Sequence, residues 1–358
     1  ATSLAAPGSV VATATSTDIV AAPAASTARK VQYLSIRNKS TTTSQTVTIQ
    51  LNNNGTVRSI TGDITLLPGE VLEYTDTDGF YVLSYDGSRR SRLSQARASS
   101  TRTTKFFKVG TAAEAAGVVY CYSKDTGFPS TWAVGTSGLS GRATDGTNSA
   151  DAGCIPYVNA ATGANYLSFA TIASSVVHGF DIMDVLWVNN ALVVTTTTAQ
   201  TINSVAFPAR DLNGTTNGAG VQIGILVTAA TTNAGAITNC TLSYTNESGT
   251  AGRTATMASF PATAVIGTVV WFLLQAGDSG VRSIQSITLG TSMVTGSISL
   301  IAAVPLAPMA CLLANTVAPS QISGDGVRLY DGTCMLLFQW SSTTTATNIY
   351  GSIGVTTK

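Results

Sequence analysis

The sequence predicts an all-β protein in two units, a small N-terminal β-domain and a larger β-sandwich of jelly-roll type, preceded by an extended arm. Three observations carry this. Apolar residues recur at alternate positions in short runs, the period of a half-buried strand. Clusters of Gly, Pro, Asn and Asp punctuate those runs at the spacing expected of a sandwich or jelly roll. No stretch holds the 3.6-residue period of a long amphipathic helix, and Ala112 to Gly117 allows at most a short one.

Residues 1–30 (ATSLAAPGSVVATATSTDIVAAPAASTARK) are rich in Ala, Thr, Ser and Pro and keep no period. They read as an extended arm with too little apolar surface to fold alone, expected to lie against a neighbouring subunit. Residues 31–87 read as a compact unit of four strands. Gln45 to Asn52 alternates, with Val47, Ile49 and Leu51 on one face and Thr46, Thr48 and Gln50 on the other. Pro68-Gly69 turns the chain into Val71 to Tyr74, and Asp78-Gly79 returns it into Phe80 to Tyr85, which is a hairpin signal. Glu70, Glu73, Asp76 and Asp78 fall at these turns and on the outward strand face, as solvated turn residues rather than metal ligands.

Residues 88–110 (SRRSRLSQARASSTRTTKFFKVG) read as a basic linker. They hold seven of the nineteen basic residues, Arg89, Arg90, Arg92, Arg97, Arg102, Lys105 and Lys108, and no acid. Clustered cations seek carboxylate or phosphate, so the segment is a candidate contact for an acidic protein neighbour. A solvated linker is the plainer reading. Nucleic acid ranks last, because the aromatic interleaving of a single-strand binder is missing and Phe106-Phe107 stands only at the end.

Residues 111–358 form the larger unit. Val221 to Val227 is its clearest strand, with Val221, Ile223, Ile225 and Val227 on one face. Further strands are expected at Cys240 to Tyr244, Arg253 to Ser259, Val269 to Leu274, Ile284 to Leu289, Ile298 to Val304, Val327 to Tyr330 and Cys334 to Trp340. No repeat of solenoid length is visible.

Composition narrows the function. Only 10% of the residues are charged, against about 25% in an ordinary soluble domain. A surface solvated by hydroxyls and amides is covered by neighbours without stripping water from many ions, which suits a subunit whose surface is mostly interface. The five cysteines, Cys121, Cys154, Cys240, Cys311 and Cys334, are odd in number and irregular in spacing, so they read as small buried apolar residues and not as a disulfide framework or a zinc site. The first 28 residues hold no Lys or Arg, so a secretory signal is not expected. Membrane insertion is not expected either: Val265 to Leu274 is too short to span, and Ile298 to Ala314 is broken by Pro305 and Pro308.

Catalysis finds little support. His178 is the only histidine and sits in an apolar run, Val176-Val177-His178-Gly179-Phe180, where it reads as a satisfied buried side chain. Nucleophile elbow, P-loop, dinucleotide fingerprint and zinc-protease motif are all missing. Asp145, Thr147, Ser149 and Asp151 place oxygens at alternate positions as calcium loops do, but Ala150 and Pro156 stand where such a loop needs Gly and Glu. No catalytic residue, cofactor or metal is therefore expected. Trp132, Trp187, Trp271 and Trp340 are candidates for a sugar-binding groove, although Trp271 and Trp340 lie in apolar runs that favour core packing.

Several strings in the larger unit recur in order in a known family. They are Phe106-Phe107, Glu114-Ala115-Ala116-Gly117, Thr126-Gly127-Phe128-Pro129, Tyr244-Thr245-Asn246 with Gly249 to Thr254, Leu274 to Asp278, and Gly280-Val281-Arg282. Over roughly residues 105–306 the chain resembles virion structural proteins of tailed bacteriophages. The strings Leu67 to Glu70, Leu72 to Tyr74 and Gly79 to Leu83 resemble a β-module appended to phage head and tail proteins. The resemblance implies assembly: a symmetric oligomer, for which a trimer is expected, contacting its own copies and other virion proteins on capsid, neck or tail. The implied location is the virion, assembled in the bacterial cytoplasm. A carbohydrate-binding host-attachment module, gripping a surface glycan, is the alternative. Arg253 and Arg282 stand beside Gly-rich turns, where they are expected to anchor loops through carbonyls or a carboxylate.

Overall fold

A computed structural model of the chain describes residues 31–358 except 54–55, 85–86, 88, 90–100, 111–114, 116, 162, 321, 323–325 and 358. The arm, residues 1–30, lies outside the described residues. The chain divides into two compact units, Ala1–Ser91 and Arg92–Lys358.

Among the described residues the small unit has seven strands: β1 (Tyr33–Arg37), β2 (Gln45–Val47), β3 (Gln50–Asn53), β4 (Thr56–Ser59), β5 (Ile64–Leu66), β6 (Val71–Thr75) and β7 (Gly79–Leu83). The expected hairpin is β6–β7, turning at Gly79, whose φ of +71° lies where a Cβ is disfavoured. β1 completes a three-stranded sheet in the order β1-β6-β7. The single strand expected over Gln45 to Asn52 is instead broken at Thr48-Ile49. β2 pairs with β5, while β3 pairs with β4. Val47 and Ile49 pack against the core of Leu66, Leu72 and Val82, and Leu51 is left exposed. Glu70 is likewise not an outward residue. It is buried, and its carboxylate accepts the Leu67 N–H at 2.7 Å to close the Pro68-Gly69 turn.

The larger unit opens with β8 (Thr101–Val109), β9 (Val119–Cys121), β10 (Thr126–Phe128), β11 (Arg142–Ala143), β12 (Asn165–Ser174), β13 (His178–Val188), β14 (Ala199–Thr201) and β15 (Gln222–Ala229). It continues with β16 (Thr241–Asn246), β17 (Arg253–Thr256), β18 (Thr268–Trp271), β19 (Val281–Thr288), β20 (Ser297–Cys311), β21 (Ala318–Pro319), β22 (Val327–Leu329), β23 (Met335–Trp340) and β24 (Asn348–Thr357). Its centre is a closed barrel, in which β13, β20, β15, β18, β9 and β23 pair in turn and β23 returns to β13. Closure leaves no free edge on that ring.

Alternation along each barrel strand separates two faces. Met183, Val185, Leu226, Val269, Ile301, Ala303, Leu336 and Phe338 fill the interior. The outward residues build two further cores. On one side Ile223, Ile225, Val227, Leu300 and Ala302 pack with Leu242, Tyr244, Ile284 and Ile287 of the sheet β14-β19-β16-β17. On the other, Phe180, Ile182, Ala307, Met309 and Leu337 pack with Phe106, Leu167, Ile172, Ile349 and Ile353 of the sheet β10-β8-β24-β12-β21. The sheet-on-sheet packing of a sandwich thus occurs twice, once on each side of the barrel. The all-β class holds.

The strand expected from Ile298 to Val304 is present as β20, and it runs on through Pro305 and Pro308 to Cys311. Beyond Ala303 β20 has no β15 partner, so the missing proline N–H groups cost no ladder bond on that side. Cys154 and Cys334, 180 residues apart, form a disulfide with Cα atoms 5.4 Å apart. Irregular spacing hid that pair, and only Cys121, Cys240 and Cys311 are free and buried.

Candidate functional site

The seven basic residues do not form one surface. Arg90, Arg92 and Arg97 lie outside the described residues. Arg89, in the small unit, pairs with Asp78 at 2.6 Å and covers the Tyr81 ring at 4.0 Å. Thr101–Val109 is no linker, since it is strand β8 and pairs along its whole length with β24. Alternation then sorts its cations. Lys105 is exposed on the outer face, and Arg102 is exposed near the strand's start. Lys108 points inward beside Phe106 and is buried.

Lys108 is therefore not a partner contact. Its ammonium donates to the carbonyls of Asp125 at 3.1 Å, Pro129 at 2.8 Å and Ser130 at 3.2 Å, clamping the loops on either side of β10 to β8. Burial pulls its pKa down to about 8. Nearby, burial pushes the Asp125 carboxyl up to about 6, although Tyr120 donates to it at 3.0 Å.

The outer face of the same sheet carries what the basic count obscured. Phe128 stands opposite Phe107, and Phe107 opposite Tyr350, so three aromatics form one row across β10, β8 and β24. They are 48%, 43% and 63% exposed. The Phe107 and Tyr350 rings stack with centroids 6.4 Å apart. Val109 extends the apolar surface along β8, and Lys105 stands two residues away on the other side. Three aromatics side by side on an outward sheet face are unusual in a protein that has no partner for them. The alternation Lys105, Phe107, Val109 was the sequence signal for this row.

Elsewhere the polar groups support structure. His178 is buried, and its Nδ1 accepts the Ser342 backbone N–H at 3.1 Å while its Nε2 meets the Thr347 hydroxyl at 2.8 Å. Ser342 Oγ lies 3.3 Å from that Nδ1 but donates to the Val177 carbonyl. With its lone pair engaged by a backbone donor, the ring is not placed to act as a base towards Ser342.

The loop with alternating oxygens closes on an arginine. Asp151 accepts Arg142 at 2.7 and 2.8 Å, the Trp132 indole at 3.0 Å and the Asp145 N–H at 2.9 Å. Among the described residues no three His, Cys, Asp or Glu side chains gather as metal ligands. Arg253 anchors its turn as expected, by two bonds to Asp278 at 2.8 and 3.0 Å. Tyr244 and Asn246 also donate to that carboxylate, and Arg253 with these donors holds it well below the usual carboxylate range. Arg282 is exposed beside Gly249, with no hydrogen bond or ion pair among the described residues. Sequence reasoning missed the buried pair Arg210–Asp184, 2.9 Å, which joins the loop after Pro208 to β13.

The tryptophans reverse the expectation. Trp132 and Trp187 are completely buried, which removes the groove they were candidates to line, while Trp340 is half exposed.

No protein-family model and no curated protein matches the chain. Among solved structures it is similar to the infectious bursal disease virus VP2 subviral particle, at 9% identity over 73% of this chain and 81% of that one, with a TM-score of 0.15. It is similar also to the T13 IBDV viral particle, at 10% identity over 73% of this chain and 78% of that one, with a TM-score of 0.14. At those scores the likeness carries no argument about fold or function.

Proposed function

We propose that the chain is a non-enzymatic structural subunit of a tailed-phage virion, closed into a symmetric oligomer, a trimer, on the capsid, neck or tail. Its partners are its own copies and other virion proteins. The observation that carries this reading is the exposed row Phe128, Phe107 and Tyr350 on the outer sheet of a charge-poor protein. Burying that row against a neighbour removes apolar area from water at about 25 cal/mol per Å² and desolvates few ions. Exposed Arg102 and Lys105 on β8 supply charge at the rim of such a contact, where it steers partners more than it holds them. Support for a phage particle in particular comes from the family resemblance of residues 105–306.

The test is light scattering after size exclusion on the chain and on a Phe107→Ser, Tyr350→Ser double variant. The unaltered chain is expected as one closed oligomer, and the variant as a smaller species with the same circular dichroism. A stable monomer that never joins particles overturns the reading.

A further inference from the structure

At one mouth of the barrel the strand ends carry a polar pocket above an apolar interior. β9, β13 and β15 run the same way and end there, while β18 and β20 begin there. Below the mouth the inward positions are Leu226, Ile301 and Val188. At the mouth itself they become hydroxyls. Ser299 is opposite Leu226 and shares its inward face, Ser297 lies two residues before it on the same face, and Thr228 lies two residues beyond Leu226 on β15. These three line a pocket of about 310 Å³, with Lys124, Gly135 and Asn190 on its wall.

Two of these groups lack the partners their chemistry calls for. Ser299 is 1% exposed, and its Oγ has no hydrogen-bond partner. A buried hydroxyl left unpaired costs about 1–3 kcal/mol, a cost that a bound polar group would relieve. Lys124 is half-buried and faces no carboxylate. It rests on the Trp132 ring, 5.8 Å from the centroid, and donates to the Trp132 carbonyl at 3.1 Å, which leaves two N–H groups to give. Burial pulls its pKa down, as expected of a cation without a counter-ion.

The wall is fixed in advance of any ligand. Asn190 Oδ1 accepts the N–H groups of Ser137 at 3.0 Å and Gly138 at 2.7 Å, and its amide donates to the Gly135 carbonyl at 2.9 Å. Bonds of this kind hold the 135–138 loop to the end of β13, so this part of the wall needs no ordering on binding.

We infer that the barrel mouth is a binding site for a small carboxylate that also carries hydroxyl groups, the chemistry of a sugar acid. The carboxylate takes the free N–H groups of Lys124, a charge-assisted bond, and the hydroxyls exchange hydrogen bonds with Ser299, Ser297 and Thr228. The pocket's volume matches one or two such rings, at the lower end of small-molecule sites. This site draws on a different face from the aromatic row and does not rest on the assembly reading.

Calorimetric titration of the full chain with D-glucuronate, D-glucose and acetate as separate probes tests it. Glucuronate is expected to bind in the millimolar range or tighter, with glucose at least about tenfold weaker through loss of the charge-assisted bond to Lys124, and acetate at least about tenfold weaker through loss of the hydroxyl hydrogen bonds. Lys124→Met keeps the stem over Trp132 and is expected to lower glucuronate affinity about tenfold or more. Ser299→Ala removes only an unpaired buried hydroxyl, so the melting temperature of the unliganded chain is expected to hold or rise while affinity falls several-fold. No glucuronate binding, equal binding of glucose, or an Ser299→Ala variant that binds as the unaltered chain does overturns the site. None of these results bears on oligomer mass, which reports the assembly reading separately.

Discussion

A second proton on His178 would turn Nδ1 from an acceptor into a donor facing the donor N–H of Ser342. Burial already lowers the ring's pKa from its usual value, so the folded chain holds it neutral with Nε2–H towards Thr347. The unfolded chain keeps a value near 6.5, and below that pH it takes up the proton more readily than the fold does. Stability from this residue is therefore complete above about pH 6.5 and drains as pH falls, by at most about 1.4 kcal/mol per pH unit. Urea unfolding of the chain and of His178→Gln across that range measures it. The variant is expected to show the shallower acid slope. Equal slopes would mean that the ring contributes nothing to acid sensitivity.

At the scale of elements, Lys108 shows what a strand can do with a cation. Lys108→Met keeps the stem but leaves the carbonyls of Asp125, Pro129 and Ser130 without their donor. Each orphaned buried carbonyl costs about 1–3 kcal/mol, partly recovered by relieving the burial of charge. The variant is expected to melt lower with its oligomer mass unchanged, which separates an internal clamp from a partner contact. With the folded pKa near 8 and the unfolded one near 10.4, the unfolded state binds the extra proton in between. Stability of the parent chain thus rises with pH across that window, and the variant loses this rise.

The same strand shows what was legible. Alternation gave β15, because Val221, Ile223, Ile225 and Val227 advertise one face, but it gave neither of β8's neighbours, β10 and β24. In residues 88–110 the count of charges outweighed alternation, so a strand passed for a linker and a clamp for a contact. Barrel closure was illegible for a different reason. It depends on β9, three residues long, which joins β18 to β23. Pairings of that sequence separation leave no local pattern. The mouth pocket shares this difficulty, since Lys124, Asn190, Thr228 and Ser299 meet only once the ring is closed.

For the whole molecule, one covalent link bears on the barrel more than any single contact. Cys154–Cys334 fastens the loop after Asp151 to the residue immediately before β23, beside Asp184, whose Oδ1 accepts the Cys334 N–H at 2.8 Å. β23 is the strand that closes the ring on β13. Closing a loop of 180 residues removes much conformational freedom from the unfolded chain, worth typically about 2–4 kcal/mol. The small unit shares neither cysteine and has its own core of Leu66, Leu72 and Val82. A Cys154→Ala, Cys334→Ala variant is therefore expected to lower the melting transition of the larger unit by roughly 5–15 °C and to leave that of the small unit in place. Differential scanning calorimetry, with reductant added to the unaltered chain as the matched comparison, reads both transitions in one scan. Reduction is expected to reproduce the variant. If neither treatment moves the larger transition, the ring closes without help from the disulfide, and the Arg210–Asp184 pair with the ladder between β13 and β23 suffices to hold the seam.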